Sequence, residues 1–158
     1  MSSFRRGVRL GIDPGKARVG VARCDPDGML AVPVETVPRT EAAAARVAEI
    51  VAEYDAIEVL VGLPISLSGG ETASTADART LAAEIAAAVA PVQVRLVDER
   101  LSTVTAHAAL RQSGRSQKSS RRIVDQVAAV VLLQQAIDVE KRTGAPAGQA
   151  LASTQEPT

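Results

Sequence analysis

Aromatic side chains are almost absent: 158 residues contain one Phe, one Tyr and no Trp. A protein that reads single-stranded bases by stacking needs more rings than Phe4 and Tyr54, which excludes stacking as the main mode of recognition. Cys24 is the only cysteine, so an intramolecular disulfide and a Cys-cluster metal site are both ruled out. It reads either as a small buried hydrophobe or as a bridge between subunits. His107 is the only histidine, which removes multi-His metal sites and most His-dependent triads. The longest apolar run, Val127–Leu133, has seven residues, against the ~18 that a membrane span requires. No secretory signal is recognisable, and with one thiol the expectation is a cytoplasmic protein with no membrane partner.

Net charge is also missing, because 18 basic residues balance 18 acidic ones. The distribution is uneven. From Met1 to Arg23 there are six basic residues (Arg5, Arg6, Arg9, Lys16, Arg18, Arg23) against Asp13 alone. From Arg95 to Arg122 there are seven (Arg95, Arg100, Arg111, Arg115, Lys118, Arg121, Arg122) against Asp98 and Glu99. Between Glu41 and Glu84 eight acids face Arg46 and Arg79. Each basic run alone reads as a solvated surface. Together, each enclosing isolated carboxylates, they suggest a positive face for phosphates.

What the chain has is aliphatic material for one core, with 46% hydrophobic residues. Its length suits one domain, expected over residues 1–142. Residues 7–13 (GVRLGID) and 18–24 (RVGVARC) predict two strands, joined as a hairpin by the turn Pro14-Gly15-Lys16-Ala17. Met29–Val37 predicts a third. Thr40 is placed to cap a helix over Glu41–Glu53, Glu58–Leu63 reads as a strand, and a helix follows from Ser74 to Val89. Val92–Val97 is the fifth strand. Ser102 then opens a helix to Gln112, Ser113–Ser119 (SGRSQKS) reads as a basic loop, and a last helix runs from Ser119 or Ser120 to Lys141. From Thr143 to Thr158 periodicity is lost, and the expectation is a disordered tail. The pattern predicts an α/β fold: a five-stranded mixed sheet, three antiparallel strands then two parallel ones, flanked by helices.

Three positions interrupt these patterns. Asp13 ends a strand expected at the centre of the sheet, although an Asp before Pro-Gly is also an ordinary turn former. Asp98 and Glu99 end the fifth strand, where paired acids often form a solvated rim. Their side chains point to opposite faces, so one of the two at most enters a shared site. Asp125 lies in a helix that Ile123, Val124, Val127, Ala128, Val130, Val131, Leu132 and Leu133 make apolar on nearly every side. A buried carboxylate pairs, protonates or binds a cation. The plain structural alternative is an ion pair with Arg121 or Arg122, one turn earlier. Carboxylates without His or Cys suit Mg²⁺ or Mn²⁺. Two such ions about 4 Å apart can hydrolyse a phosphodiester.

The blocks Gly11-Ile12-Asp13-Pro14-Gly15, Val19-Gly20-Val21-Ala22, Val61-Gly62-Leu63-Pro64, Val97-Asp98-Glu99-Arg100-Leu101-Ser102-Thr103 and Asp125-Gln126-Val127-Ala128-Ala129 resemble the YqgF family, also called RuvX. The likeness covers residues 7–138, nearly everything except the tail. It implies an RNase H-like fold and a metal-dependent nuclease with Asp13, Glu99 and Asp125 as catalytic, metal-binding acids. The family's proposed substrates are precursor 16S rRNA, cut at its 5′ end, and four-way DNA junctions. Lys16, Arg18, Arg100, Arg111, Arg115, Lys118, Arg121 and Arg122 would then engage backbone phosphates with little base specificity. A two-fold symmetric junction suggests a homodimer, whereas an rRNA-processing nuclease need not be one. Choice of DNA or RNA depends on 2′-hydroxyl contacts that no motif reveals. One departure stands out. RuvC-type resolvases carry an acid near the end of the fourth strand, where this chain has Gly62-Leu63-Pro64-Ile65-Ser66, so the site draws on Glu99 instead.

Two other readings compete. A non-catalytic nucleic-acid-binding or ribosome-assembly factor on the same fold would use the basic loop equally well, but has little use for Asp125. Asp13-Pro14-Gly15 also resembles the phosphate hairpin of actin-like ATPases. Those proteins need two domains, and the P-loop is broken by Leu10 and Ala17 at its required glycine and hydroxyl positions.

Overall fold

A computed structural model describes residues 4–66, 68–98 and 117–151, with side chains in the last segment from Asp125 onward. The first hairpin consists of β1 (Arg9–Pro14) and β2 (Arg18–Cys24), and β3 (Ala31–Pro38) completes the meander. Then come α1 (Ala43–Tyr54), β4 (Glu58–Leu63), α2 (Ala73–Val89), β5 (Gln93–Asp98), α3 (Gln117–Thr143) and β6 (Gln149–Ala150). The sheet order is β3-β2-β1-β4-β5-β6. β1 is antiparallel to β2 and parallel to β4, while β2 is antiparallel to β3 and β4 parallel to β5. The expected mixed α/β sheet is therefore present, with β1 at its centre.

Among the described residues the sheet has six strands, not five. The extra strand comes from the segment expected to be disordered. β6 pairs antiparallel with β5 through Arg95↔Ala150 and Leu96↔Gln149. The Arg95 side chain donates to the carbonyls of Ala147 (2.7 Å) and Gly148 (2.8 Å), and Leu151 N–H donates to Val94 O at 2.9 Å. Gly148, at φ +73°, packs against the Leu96 carbonyl, where a Cβ has no room. Two residues of strand are too short to show alternation, which hides β6 from periodicity. Smaller corrections apply to the helices. Thr40 Oγ1 accepts from Ala42 N–H at 3.1 Å in a turn before α1, but does not cap the helix. α2 starts at a Thr72–Thr75 capping box. Residues 117–119, expected in the basic loop, begin α3. The expected helix from Ser102 to Gln112 lies outside the described residues.

Side-chain alternation divides the core in two. Leu10, Ile12, Val19, Val21, Val59, Val61, Val94 and Leu96 face α1 and α2. Ala22, Cys24, Ala31 and Leu60 lie on the other face with Ala129, Leu133, Ala136 and Ile137 of α3. Helix α3 crosses β1 and β2 over two glycines. A Cβ on Gly11 would stand 2.8 Å from both Ala129 O and Leu133 Cβ, and one on Gly20 would overlap the Asp125 backbone outright. Helix and sheet thus approach more closely than side chains allow. Gln126 Nε2 donates to Thr36 Oγ1 at 2.8 Å and ties the N-terminal half of the helix to β3.

At the opposite end of the sheet the ion pairs are structural. Glu140, on α3, is 3% exposed and accepts from Arg5 Nη2 (2.7 Å) and Arg9 Nη2 (2.9 Å). Arg5 also reaches Glu58 at 3.1 Å. Arg9 and Lys141 lie over the Phe4 ring at 4.1 and 5.2 Å, and Arg23 over Tyr54 at 4.7 Å. Both aromatic rings are therefore engaged by cations of the same chain. Burial alone would raise the Glu140 pKa. Hydrogen bonds from the Arg5 side chain and backbone, with the charges of Arg9 and Arg5, outweigh it and hold the carboxyl at about 2. Cys24 is fully buried and accepts the Arg9 N–H at 3.3 Å, and burial pushes its thiol up. A folded chain has no exposed sulfur there with which to bridge subunits.

Two outcomes follow for stability. Gly20→Ala should cost at least about 2 kcal/mol, because helix α3 must lift off β2, and urea unfolding midpoints measure it. An unchanged midpoint would contradict the close approach. The Glu140 carboxyl has a folded pKa below its ordinary 4.5, so its contribution is complete above that pH and fades as pH falls toward about 2. The stability gap between wild type and Glu140→Gln should therefore narrow over this window, and a gap independent of pH would refute the assignment.

Candidate metal and phosphate site

The C-terminal end of β1 and the start of β2 meet α3 near Asp125, and the candidate site lies there. Register determines which carboxylates share a face. Asp13 pairs across the hairpin with Gly20, and Gly11 with Ala22. Gly11 and Gly20 both touch α3, so Asp13, two residues beyond Gly11 on β1, lies on the same face. Gly20 abuts the backbone of Asp125 itself. The sheet thus brings the end of β1 and the Asp125 turn of α3 to one place, although they are 112 residues apart in sequence.

Among the described side chains, the partner of Asp125 comes from the sheet. Arg18, at the first position of β2, donates Nε–H to Asp125 Oδ2 at 2.9 Å. The side chains are 31% and 14% exposed, respectively. Arg121 and Arg122 lie on α3, but only their backbone is described. Burial pushes the Asp125 carboxyl up; the hydrogen bond and charge of Arg18 pull it down, and the net position stays above the ordinary carboxylate value. A carboxylate so placed gains from added positive charge.

The other predicted residues divide into three groups. Asp98 ends β5 at the level of Leu63, and it alternates in step with Val94 and Leu96, which face α1 and α2. Val97 packs on the α3 side. Asp98 therefore belongs to the face away from Asp13. Lys16 is exposed in the β1–β2 turn, beside Arg18. Glu99, Arg100, Arg111 and Arg115 lie outside the described residues, and of Lys118 only the backbone on α3 is described. Among the described residues no three Asp, Glu, His or Cys side chains converge into a metal cluster. Asp13 and Asp125 supply two oxygen donors on one face, the donor chemistry that Mg²⁺ and Mn²⁺ prefer. One step past the paired Ile12 and Val61, the residue of β4 level with Asp13 is Gly62, which has no carboxylate to add.

Sequence reasoning missed Arg39. It follows β3 and donates to Gly15 O at 3.0 Å, while its guanidinium forks onto both oxygens of Asp77 on α2 at 2.9 and 3.1 Å. Arg39 N–H also donates to Ala17 O at 2.9 Å. These bonds hold the turn that carries Lys16 and connects Asp13 with Arg18. No sequence signal singles out Arg39, since the contact depends on β3 and α2 meeting the turn in space. Nearby, Thr75 of α2 is bonded through its hydroxyl to the Pro64 carbonyl and secures the chain leaving β4. The basic-run arginines Arg5, Arg9 and Arg95 are occupied elsewhere, in the Glu140 cluster and at β6.

Comparison with known proteins agrees with this architecture. The family model described as "RuvX: Holliday junction resolvase" matches residues 7–139. A protein of Streptomyces coelicolor named "Putative pre-16S rRNA nuclease" is 55% identical over 148 residues, covering 92% of this chain and 89% of that one. A Nocardioides relative of the same name is 53% identical, covering 96% of this chain and all of its own. Among solved structures, Thermus thermophilus RuvC in complex with a Holliday junction substrate superposes with a TM-score of 0.57 at 20% identity, over 92% of this chain and 99% of RuvC. That likeness supports the RNase H-like fold, and the match across nearly the whole sequence establishes that this chain belongs to the RuvX (YqgF) family.

Proposed function

We propose that the protein is a nuclease that hydrolyses phosphodiester bonds in structured nucleic acid, with Asp13, Glu99 and Asp125 holding Mg²⁺ or Mn²⁺. The observation that carries the reading is the meeting of Asp13 and a half-buried Asp125 on the α3 face of the central strands. A solvated turn former has no need of a second carboxylate opposite it. A purely structural α3 has no need of an acid there. Glu99 enters this reading as the third acid through the family resemblance, and it lies outside the described residues. Such a metal pair would activate water and stabilise the leaving oxygen of the phosphodiester.

The chain's own residues do the rest. Asp13 and Asp125 supply negative oxygens at positions set by hairpin register and by the Gly20 contact. Lys16 and Arg18, on the same turn, offer positive charge for the phosphates that these acids repel. Arg39 keeps that turn in register with α2. Arg100, Arg111, Arg115, Lys118, Arg121 and Arg122 extend the phosphate contacts in this reading. The names of the relatives and the junction bound by RuvC suggest the substrates: the 5′ end of precursor 16S rRNA and the four-way DNA junction. A two-fold symmetric junction would be cut by a homodimer.

The Arg18–Asp125 ion pair favours a second reading, a non-catalytic binding or assembly factor, because it also neutralises the acid without any metal. One experiment separates the two. Wild type, Asp13→Asn and Asp125→Asn are incubated with a labelled four-way junction and with a precursor 16S rRNA 5′ fragment, in Mg²⁺, in Mn²⁺ and in EDTA. The nuclease reading expects metal-dependent cutting that both substitutions reduce to the EDTA background while binding persists. Tight binding without cutting under every condition would leave the assembly factor.

A further inference from the structure

The Arg18–Asp125 contact differs from the forked arginine–carboxylate pairs of this chain. Arg39 forks onto Asp77, Arg46 onto Glu35 and Arg79 onto Glu71, each with two guanidinium nitrogens on two carboxylate oxygens. Arg18 makes a single bond to Asp125, from Nε to Oδ2. A fork gives geometry as well as charge, whereas a single bond supplies charge with little geometric hold. The setting is also unequal. Asp125 is the more buried partner at 14% exposure, on a helix whose backbone is pressed against Gly20. Arg18 is 31% exposed and sits where β2 leaves the turn. Of the two partners the acid is the more firmly held, and the cation is the more exposed.

Resting on the nuclease reading above, we propose that Arg18 is an exchangeable counter-cation, which neutralises Asp125 until a divalent metal takes the carboxylate and is then released toward the phosphates of the bound nucleic acid. The physical basis is competition. A guanidinium and a divalent ion both seek the oxygens of one half-buried carboxylate, and like charges crowded there repel. Each therefore weakens the other. A phosphate that draws Arg18 away removes the competitor, so phosphate binding and metal binding favour each other by the same factor. Metal would load weakly on the free protein and firmly on the complex with nucleic acid.

The test measures Mn²⁺ binding to the intact protein without nucleic acid, by calorimetry or by the electron paramagnetic resonance of free Mn²⁺. Wild type is compared with Arg18→Gln and Arg18→Lys, each shown to be folded by thermal melting. Arg18→Gln should bind Mn²⁺ about 5-fold tighter or more, the lower end of ordinary coupling between sites. Arg18→Lys, which keeps the charge, should stay near wild type, and Arg18→Met, which removes the charge but keeps the stem, should tighten as the Gln variant does and keeps the test valid if that variant fails to fold. Equal affinity in wild type and Arg18→Gln, or weaker binding in the variant, would overturn the exchange while leaving the metal site intact. If neither protein binds Mn²⁺, the exchange fails, and the cleavage assay with Mg²⁺, Mn²⁺ and EDTA decides the metal-dependent reading separately.

Discussion

Everything at the candidate site depends on how closely α3 approaches the sheet. Two glycines on adjacent central strands, Gly11 and Gly20, leave no side chain between helix and sheet, so the helix backbone lies directly on β2 at Asp125. This contact sets the depth of Asp125 and the face it shares with Asp13. A carboxylate on a helix held off by ordinary side chains would reach water and keep its solvation. Here it is drawn partly into the core, and burial makes positive charge valuable to it. Packing and chemistry are therefore the same constraint seen at two levels. The glycines belong to strand interiors, where they weaken a sheet in themselves. Their return is the helix–sheet contact.

Charge is arranged along α3 by the same logic. Near its C-terminal end, Glu140 is surrounded by Arg5 and Arg9, and the cluster closes through Glu58 at the start of β4. Every charge there has partners within the fold, and the cluster has no positive charge to spare for a ligand. Toward the N-terminal end, Asp125 has one single-bonded arginine among the described side chains, itself partly exposed. One helix thus carries a saturated acid and an under-committed one. Removing a partner from the first leaves a buried charge stranded, whereas at the second the cation can be replaced by another. The two ends are suited to anchoring and to exchange, respectively.

Much of the fold could be read directly. β2 and β4 occupy exactly the expected spans, and β1 and β5 differ by a residue or two at their ends, because alternation and turn chemistry are local signals. β6 escaped because two residues have no period and because its support comes from Arg95, 52 residues before Ala147. The site was partly legible. An acid in an apolar helix marked Asp125 as unusual whatever the topology. Its partner was sought one turn away on the helix, because sequence displays only near neighbours. The partner among the described side chains is Arg18, 107 residues earlier. Arg39 is the same case without the warning: its value lies in touching a turn, a helix and a strand end at once. The basic runs misled in part. Arg5, Arg9 and Arg95 carry the charge expected of a phosphate face but spend it on Glu140 and on the carbonyls before β6.

Gly62 connects these points to the family's chemistry. On β4, the position level with Asp13 on the α3 face has no side chain, so an acid there is unavailable and two carboxylates remain among the described residues. Two oxygen donors of opposite position, one on a strand and one on a helix, hold a hard cation weakly, because such ions take six or more oxygens and surrender water reluctantly. A site of this kind gains from every further oxygen brought to it. On the proposed reading those come from Glu99 and from the phosphate of the substrate. With few fixed acids, the resting site needs only one neutralising cation, and a single arginine suffices. A richer cluster of acids would bind metal permanently and leave Arg18 nothing to do. On that reading, the absence of a fourth-strand acid and the presence of Arg18 on Asp125 belong to one arrangement, in which a substrate phosphate would help to assemble the proposed metal site.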